Sequence, residues 1–375
     1  MKKALYYLSI LLLVSCTAIK QFSNEEIKQK KACSSITFHG KAAIIDTEID
    51  RVNTKFILDT GSGLTVLLDS TIVPNFNNKK FGYLGSAKNA KREKIKNRFL
   101  TATLKTELFE SESKVLTFIN KPVSKCIKSK NIYTGILGLD VFFDEKQSMQ
   151  LNFSNNKVCN IDENQLNNLL NDSNYYLIKS ECKNSQIFIF LTMEEKEYKL
   201  KLDTGYLGNI IIPFTDDLDI KNNNKIELEG TVYTTVSGNT KGKEVYYEKM
   251  PVSFGNKTIF SKVSVSTTIK AQNIGIEFIK GFDWIVDYNN NKVYVKGNNN
   301  IIDFQFSRKV TYYAKANSEN KLIVSVKEIS QTKYKLGDEI FALNNQKITP
   351  ENICEMQELL NNTEDWDSLN IEIKK

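Results

Sequence analysis

An internal repeat constrains the fold of this 375-residue chain more than any other feature of its sequence. Residues 41–68 align without a gap on residues 185–212, at a constant offset of 144. Both segments have the pattern of a strand, a polar turn, a second strand ending in Leu-Asp-Thr-Gly, a loop and another apolar strand. The tetrapeptides are Leu58–Gly61 and Leu202–Gly205. Such a repeat predicts a mainly β fold built from two copies of one lobe.

A second pair of matching segments extends the repeat. Residues 136–140 (ILGLD) are followed by Asn155-Asn156-Lys157-Val158, and residues 273–277 (NIGIE) are followed by Asn290-Asn291-Lys292-Val293. The alignment predicts a first lobe over residues 36–162 and a second lobe over residues 163–300. Residues from Asp162 to Leu170 predict a short helix where the first lobe ends and the second begins.

Two Asp-Thr-Gly loops after apolar strands, each followed by a hydrophobic-hydrophobic-Gly segment, resemble the aspartic protease family in its single-chain, two-lobed, pepsin- or retropepsin-like form. The resemblance implies two homologous β-barrel lobes with a cleft between them, a peptide or protein substrate, and neither cofactor nor metal. It implies Asp59 and Asp203 as the catalytic pair of an endopeptidase. Two carboxyls this close share one proton, so one acts as base and the other as acid.

The residues after each aspartate resemble the supporting residues of the family. Thr60 and Thr204 are expected to hydrogen-bond across to the opposite loop. Gly61 and Gly205 are expected to permit the tight turn that exposes each carboxyl.

The two loops differ at their fourth position. Ser62 resembles the usual residue whose hydroxyl bonds the outer carboxylate oxygen, whereas the second loop has Tyr206. With fewer bonds to the charged form, the sequence predicts activity at mildly acidic pH, about 5 to 6.5.

The family binds substrate as an extended strand beneath a β-hairpin flap, a form of strand addition. The flap candidates are Gly82, Tyr83 and Gly85 in the first lobe, and Tyr233 to Gly238 in the second.

Other classes of function are less compatible with the composition. The single histidine, His39, excludes Ser-His-Asp triads, Cys-His dyads and multi-histidine zinc sites. A formal charge of +7 is mild for this length, and no basic run is interleaved with aromatic residues, so no nucleic-acid partner is predicted. A catalytically silent peptide- or protein-binding protein stays open, because the same cleft can hold peptides without cutting them.

The N-terminus predicts export. Residues 1–15 combine two lysines with an apolar run too short to span a bilayer, which is typical of a signal peptide. Leu13-Val14-Ser15-Cys16 resembles the lipobox of bacterial lipoproteins, which implies lipidation of Cys16 and anchoring in the bacterial cell envelope, facing the periplasm or the cell surface. The alternative is an ordinary signal peptide with a chance cysteine. Residues 16–35 are predicted to be a polar tether.

Five cysteines follow Cys16: Cys33, Cys126, Cys159, Cys182 and Cys354. An oxidising compartment allows them to pair, and an odd number leaves one over. Spacing does not settle the partners.

The C-terminal residues 309–375 differ in character. Residues 335–346 (KLGDEIFALNNQ) resemble a PDZ domain, which implies a small α+β domain and a possible peptide ligand; a packed accessory domain is the alternative. Strands are predicted at 322–326 and 369–373, and a helix that begins at Pro350. Its predicted apolar face contains Ile353, Met356, Leu359 and Leu360.

Overall fold

A computed structural model describes residues 25–74, 76, 81–82, 86–88, 94–96, 98–118, 126, 132–143, 147–172, 174–215, 220, 225–235, 238–255, 257–298, 311–317 and 319–374. The predicted signal peptide and Cys16 lie outside these residues, as do the flap candidates Tyr83 and Gly85. Among the described residues, no helix has the length and apolarity needed to cross a membrane.

The fold is mainly β, as the repeat predicts. The strands of the N-terminal part are β1 (Lys28–Gln29), β2 (Cys33–Ser35), β3 (Thr37–His39), β4 (Ala42–Ile49), β5 (Val52–Leu58), β6 (Val66–Leu67), β7 (Phe81–Gly82), β8 (Ser86–Lys88), β9 (Lys94–Lys96), β10 (Arg98–Lys105), β11 (Phe109–Phe118), β12 (Gly135–Leu137), β13 (Ser148–Asn152) and β14 (Lys157–Ile161).

The central strands are β15 (Tyr176–Ile178), β16 (Ser180–Lys183), β17 (Gln186–Met193), β18 (Lys196–Asp203), β19 (Ile210–Pro213), β20 (Lys225–Thr235), β21 (Gly238–Phe254), β22 (Lys257–Ser266), β23 (Asn273–Gly275), β24 (Phe282–Asp287) and β25 (Lys292–Gly297). The C-terminal strands are β26 (Tyr312–Ala316), β27 (Leu322–Glu328), β28 (Glu339–Leu343), β29 (Gln346–Lys347) and β30 (Ile371–Ile373). The helices of the described residues are α1 (Glu163–Asp172), α2 (Ile276–Ile279) and α3 (Ile353–Asn362), and 3-10 turns span Ser70–Ile72, Leu139–Val141 and Trp366–Ser368.

The contacts divide the described residues into two compact units. The first contains those up to Ile210, with Pro251–Ile259 and those from Gln272 to Asn298. The second contains those of Ile211–Met250, Phe260–Ala271 and the C-terminal segment that begins at residue 311. The segment 211–250 joins the C-terminal residues because β20 pairs antiparallel with β27, with Leu228 opposite Glu328.

Within the first unit, one six-stranded sheet combines both copies of the repeat, in the order β15-β25-β24-β13-β14-β2. The hairpins β13–β14 and β24–β25 occupy equivalent places in the two copies and pair with each other through β13 and β24. Asn156 and Asn291 lie in their turns with φ of 50° and 56°, a left-handed conformation that asparagine tolerates. The matching Asn-Asn-Lys-Val segments are therefore matching hairpin turns.

The prediction of a tether is wrong for residues 25–35. β1 pairs with β11, β2 pairs with β14, and Glu25 binds the buried ammonium of Lys114. Short polar strands of this kind form because the edges of larger strands supply their hydrogen-bond partners.

A disulfide between Cys33 and Cys159 joins β2 to β14, where the two cysteines are opposite each other in the register. Cys182 is a free cysteine, and burial raises the pKa of its thiol to about 12. The thiol is therefore protonated at neutral pH and is a poor nucleophile.

In the second unit, the strands follow the order β22-β21-β20-β27-β28-β29, with β26 on β27 and β30 on β28. The predicted helix begins at Ile353, three residues after Pro350. Ile353, Met356 and Leu360 are buried in its apolar core, but Leu359 is 41% exposed, contrary to the predicted face. Adjacent residues differ by about 100° around a helix, and Leu359 lies beside the buried face that contains Leu360.

Candidate active site

Each Asp-Thr-Gly loop begins where a buried strand ends. β5 ends at Leu58 and pairs in parallel with β12, whereas β18 ends at Asp203 and pairs in parallel with β23. Leu58 and Leu202 are fully buried, which fixes the strand ends in the core. The two strands thus place the aspartates at equivalent points of the repeat, directly after these buried leucines.

Four hydrogen bonds join the two loops through Thr60 and Thr204, both of which are fully buried. The Thr60 amide donates to Thr204 Oγ1 at 3.0 Å, and the Thr204 amide donates to Thr60 Oγ1 at 3.1 Å. The hydroxyls then donate to the strand ends, Thr60 to the Leu202 carbonyl at 2.8 Å and Thr204 to the Leu58 carbonyl at 2.7 Å. Each threonine therefore fixes the opposite loop.

The glycines allow the two carboxyls to approach each other. A Cβ on Gly61 would lie 2.2–2.5 Å from the carboxyl atoms of Asp203, and one on Gly205 would lie 2.4–2.7 Å from those of Asp59. Such distances are far inside van der Waals contact. Each carboxyl therefore occupies the space that a side chain on the opposite loop would fill.

The structure brings the carboxyls of Asp59 and Asp203 together as an interacting pair, each lying against the opposite loop. Asp59 Oδ1 accepts from the amides of Gly61 at 2.8 Å and Ser62 at 3.0 Å, and Asp203 Oδ1 accepts from the Tyr206 amide at 3.0 Å. Burial, followed by the charge of Asp203 and a hydrogen bond between the carboxyls, raises the pKa of Asp59 to about 7, whereas the charge of Lys201 and the Gly61 amide lower it. A proton on Asp59 next to a second carboxyl gives one site an acid and a base.

The expected bond from the Ser62 hydroxyl to the carboxylate is not made, and that expectation is wrong. Ser62 Oγ donates instead to the Leu64 carbonyl at 2.6 Å, and only the Ser62 amide binds Asp59. Because the Tyr206 amide binds Asp203 in the same way, the two loops give their carboxyls the same backbone bond. Activity at mildly acidic pH stays a prediction, but a missing hydroxyl no longer supports it.

The Tyr206 side chain packs beside the second loop. A Cβ on Gly208 would lie 2.3 Å from the Tyr206 hydroxyl oxygen, and one on Gly275 would lie 2.5 Å from its ring. The ring therefore needs both glycines, which gives Tyr206 a packing role in its loop.

Sequence reasoning missed two polar residues at the pair. Lys201 Nζ donates to the Gly61 carbonyl at 2.8 Å and lies 3.9 Å from Asp203 Oδ2. Asn273 Nδ2 donates to Asp203 Oδ2 at 2.6 Å. A signal for both was present, because the repeat places Lys201 where the first copy has Ile57, and Asn273 where it has Ile136.

The flap candidates lie in hairpin strands where they are described. Gly82 is in β7, opposite Phe99 of β10. Tyr233 and Gly238 lie near the end of the β20–β21 hairpin, in which Thr235 is opposite Gly238. The predicted hairpin of the second copy is therefore present in the backbone, in the second unit.

The C-terminal helix covers one edge of β26. The Ala314 amide donates to Asn361 Oδ1 at 2.9 Å, Asn361 Nδ2 donates to the Ala314 carbonyl at 3.0 Å, and the Ala316 amide donates to Gln357 Oε1 at 2.7 Å. These side chains satisfy backbone groups that an added peptide strand would otherwise bind. A cavity of about 300 Å³ beside them includes Lys315, whose pKa is lowered by burial.

In the described part of the chain, no group of three or more His, Cys, Asp or Glu side chains converges on a point that could hold a metal ion. Comparison with models of known protein families and with curated proteins found no match to this chain.

Proposed function

We propose that this chain is an aspartic-type endopeptidase with two homologous pepsin- or retropepsin-like lobes, which hydrolyses peptide bonds through a water activated by Asp59 and Asp203. The observation that carries the proposal is the pair of carboxyls at equivalent strand ends of an internal repeat, each lying against the glycine of the opposite loop. The crossed threonine bonds support it further, because they fix the separation of the carboxyls before any substrate binds.

The chemistry follows from one proton shared by two carboxyls. The ionised carboxyl takes a proton from water, and the water oxygen attacks the carbonyl carbon of the peptide bond. The protonated carboxyl then donates its proton to the amide nitrogen, the C–N bond breaks, and an acid and an amine leave. The high pKa of Asp59 favours this division, since it keeps one carboxyl protonated beside its neighbour at mildly acidic pH.

The proposal places the enzyme outside the cytoplasm, anchored in the cell envelope through lipid on Cys16. The lipobox-like sequence Leu13–Cys16 supports this location. The disulfide Cys33–Cys159 is compatible with it, because such bonds persist in oxidising compartments. For residues 309–375 we propose a PDZ-like accessory domain, since the edge of β26 is already bound by Asn361 and Gln357.

The test is cleavage of a mixed peptide library by the full chain and by two variants. Asp59→Asn and Asp203→Asn should each lower turnover by at least about 1,000-fold, because neither carboxamide can exchange a proton with water or amide. Asp46→Asn is the matched control, since it makes the same exchange at an exposed position of β4 and should keep full activity. A statine-type inhibitor should block the wild type by resembling the tetrahedral intermediate.

Two results would contradict the proposal. Substantial activity in either active-site variant would exclude the shared-proton mechanism. Binding of library peptides by the wild type without any cleavage would favour the alternative, a silent peptide-binding protein.

A further inference from the structure

The two aspartates of the carboxyl pair have different side chains beside them, although the backbone strands around them are equivalent in the two copies. Ile57 and Ile136 are opposite each other in the parallel strands before the first loop. The equivalent positions before the second loop hold Lys201 and Asn273. These two positions are therefore apolar in the first copy of the repeat and polar in the second.

Lys201 contacts both loops from the second copy. Its ammonium donates to the Gly61 carbonyl of the first loop and lies 3.9 Å from Asp203 Oδ2. The side chain is only 17% exposed, so water screens its charge weakly. A cation in this place stabilises negative charge on the pair, and it lies next to the second carboxyl.

Asn273 contacts Asp203 alone. It is 1% exposed, and its Nδ2 donates to Asp203 Oδ2. Its Oδ1 is buried without a hydrogen-bond partner, so the amide's one bond is the bond to the carboxyl. A buried donor of this kind stabilises the ionised form of its acceptor.

Other charged groups near these elements bind one another. Asp140, in the turn after β12, binds Lys114 and Thr65. Glu277, in α2 after β23, binds Lys280 and lies 3.6 Å from Lys41. Among the described residues, Lys201 is thus the cation that faces the carboxyl pair.

We propose that Lys201 and Asn273 are positioning residues: Lys201 stabilises the single negative charge of the pair, and Asn273, by donating to Asp203, keeps that charge on Asp203 and the proton on Asp59. The inference rests on the proposed function and adds to it fixed roles: Asp203 is the base that activates water, and Asp59 is the acid that protonates the leaving nitrogen. The two copies of the repeat are then not interchangeable. The peptide must then bind in one direction, with its carbonyl carbon towards the water on Asp203 and its nitrogen towards Asp59.

The first test is the pH profile of kcat/KM in the full chain. Lys201→Met should move the acid limb upward by about one pH unit, because the ionised pair loses a close cation. Asn273→Leu should move it in the same direction. Lys201→Arg keeps the charge and should leave the limb near its wild-type position.

Lys199→Met is the matched control. Lys199 lies two residues earlier on β18 and binds Glu181 at the surface, so removing its charge should not move the acid limb. Thermal unfolding of each variant checks that it folds. A limb that Lys201→Met leaves unmoved would overturn the role of Lys201.

The second test needs no turnover. Chains with ¹³C-labelled aspartate carboxyls, assigned with Asp59→Asn and Asp203→Asn, should show Asp203 as a carboxylate at a pH where Asp59 is still protonated. The reverse order would overturn the assignment of roles, whatever the activity. Absence of cleavage with the expected order would contradict the proposed function and leave the charge assignment standing.

Discussion

Thr60 and Thr204 give the site its rigidity at the scale of single residues. Each hydroxyl accepts from the amide of the other threonine and donates to a strand-end carbonyl, with no access to water. Losing one such hydroxyl leaves buried backbone groups unpaired, at about 1–3 kcal/mol each. The carboxyls are therefore held in place by groups that do not themselves react.

The raised pKa of Asp59 predicts how stability changes with pH. An unfolded aspartate loses its proton near pH 3.9, whereas folded Asp59 keeps it to about 7. Between these values the folded state holds a proton that the unfolded state has lost, so this contribution is full at low pH and is lost as the pH rises through about 7. We expect urea unfolding to show it as a fall in unfolding free energy from about pH 4.5 to 7.5.

Asp59→Asn should remove this component of the pH dependence, and Asp46→Asn, on the exposed side of β4, should retain it. An identical pH slope in Asp59→Asn and the wild type would show that Asp59 does not titrate in this way.

At the scale of single elements, strand β2 depends on partners that are far from it in the sequence. β2 has three residues and is held by β14 and by the Cys33–Cys159 bond, 126 residues apart in sequence. Closing so long a loop in the unfolded chain restricts it strongly. β2 is thereby fixed to the sheet that contains strands of both copies of the repeat.

The double variant Cys33→Ser/Cys159→Ser should lower the unfolding free energy by about 2–5 kcal/mol, because the unfolded chain regains the entropy of the open loop. Cys182→Ser is the control, since that cysteine is free, and should cost about 1 kcal/mol or less. Chemical denaturation under non-reducing conditions measures both. Equal stability of the double variant and the wild type would contradict a structural role for the bond.

The sequence predicted those elements whose pattern is local. The repeat located both loops and the matching hairpin turns, because strand, turn and glycine signals recur at a fixed offset. The sequence did not predict β1 and β2. β1 pairs with β11, about eighty residues further along the chain, and β2 pairs with β14, more than a hundred residues further along. The partner of the Ser62 hydroxyl was predicted wrongly, since whether this hydroxyl donates to the carboxylate or to the Leu64 carbonyl depends on its rotamer. Lys201 could have been found as a charge at an apolar repeat position.

At the scale of the whole molecule, the proposal is that lipid on Cys16 sets where the chain acts. Cys16→Ala should move the full chain from the membrane to the soluble fraction, because acyl chains supply the membrane affinity. Cys182→Ala, which changes a cysteine inside the fold, should leave the protein in the membrane fraction. Unchanged fractionation of Cys16→Ala, measured by immunoblot of separated membranes, would remove the lipoprotein assignment.

Because both copies of the repeat lie in one chain and share a sheet, each copy can carry its own substitutions. In a dimer of identical subunits every substitution appears twice, so a lysine beside one aspartate would also stand beside the other, and neither carboxyl could be told from its twin. Duplication within a single gene lifts that restriction, because each half then mutates alone. Lys201 and Asn273 occur in one half of this chain and Ile57 and Ile136 in the other, a difference that two identical subunits could not have.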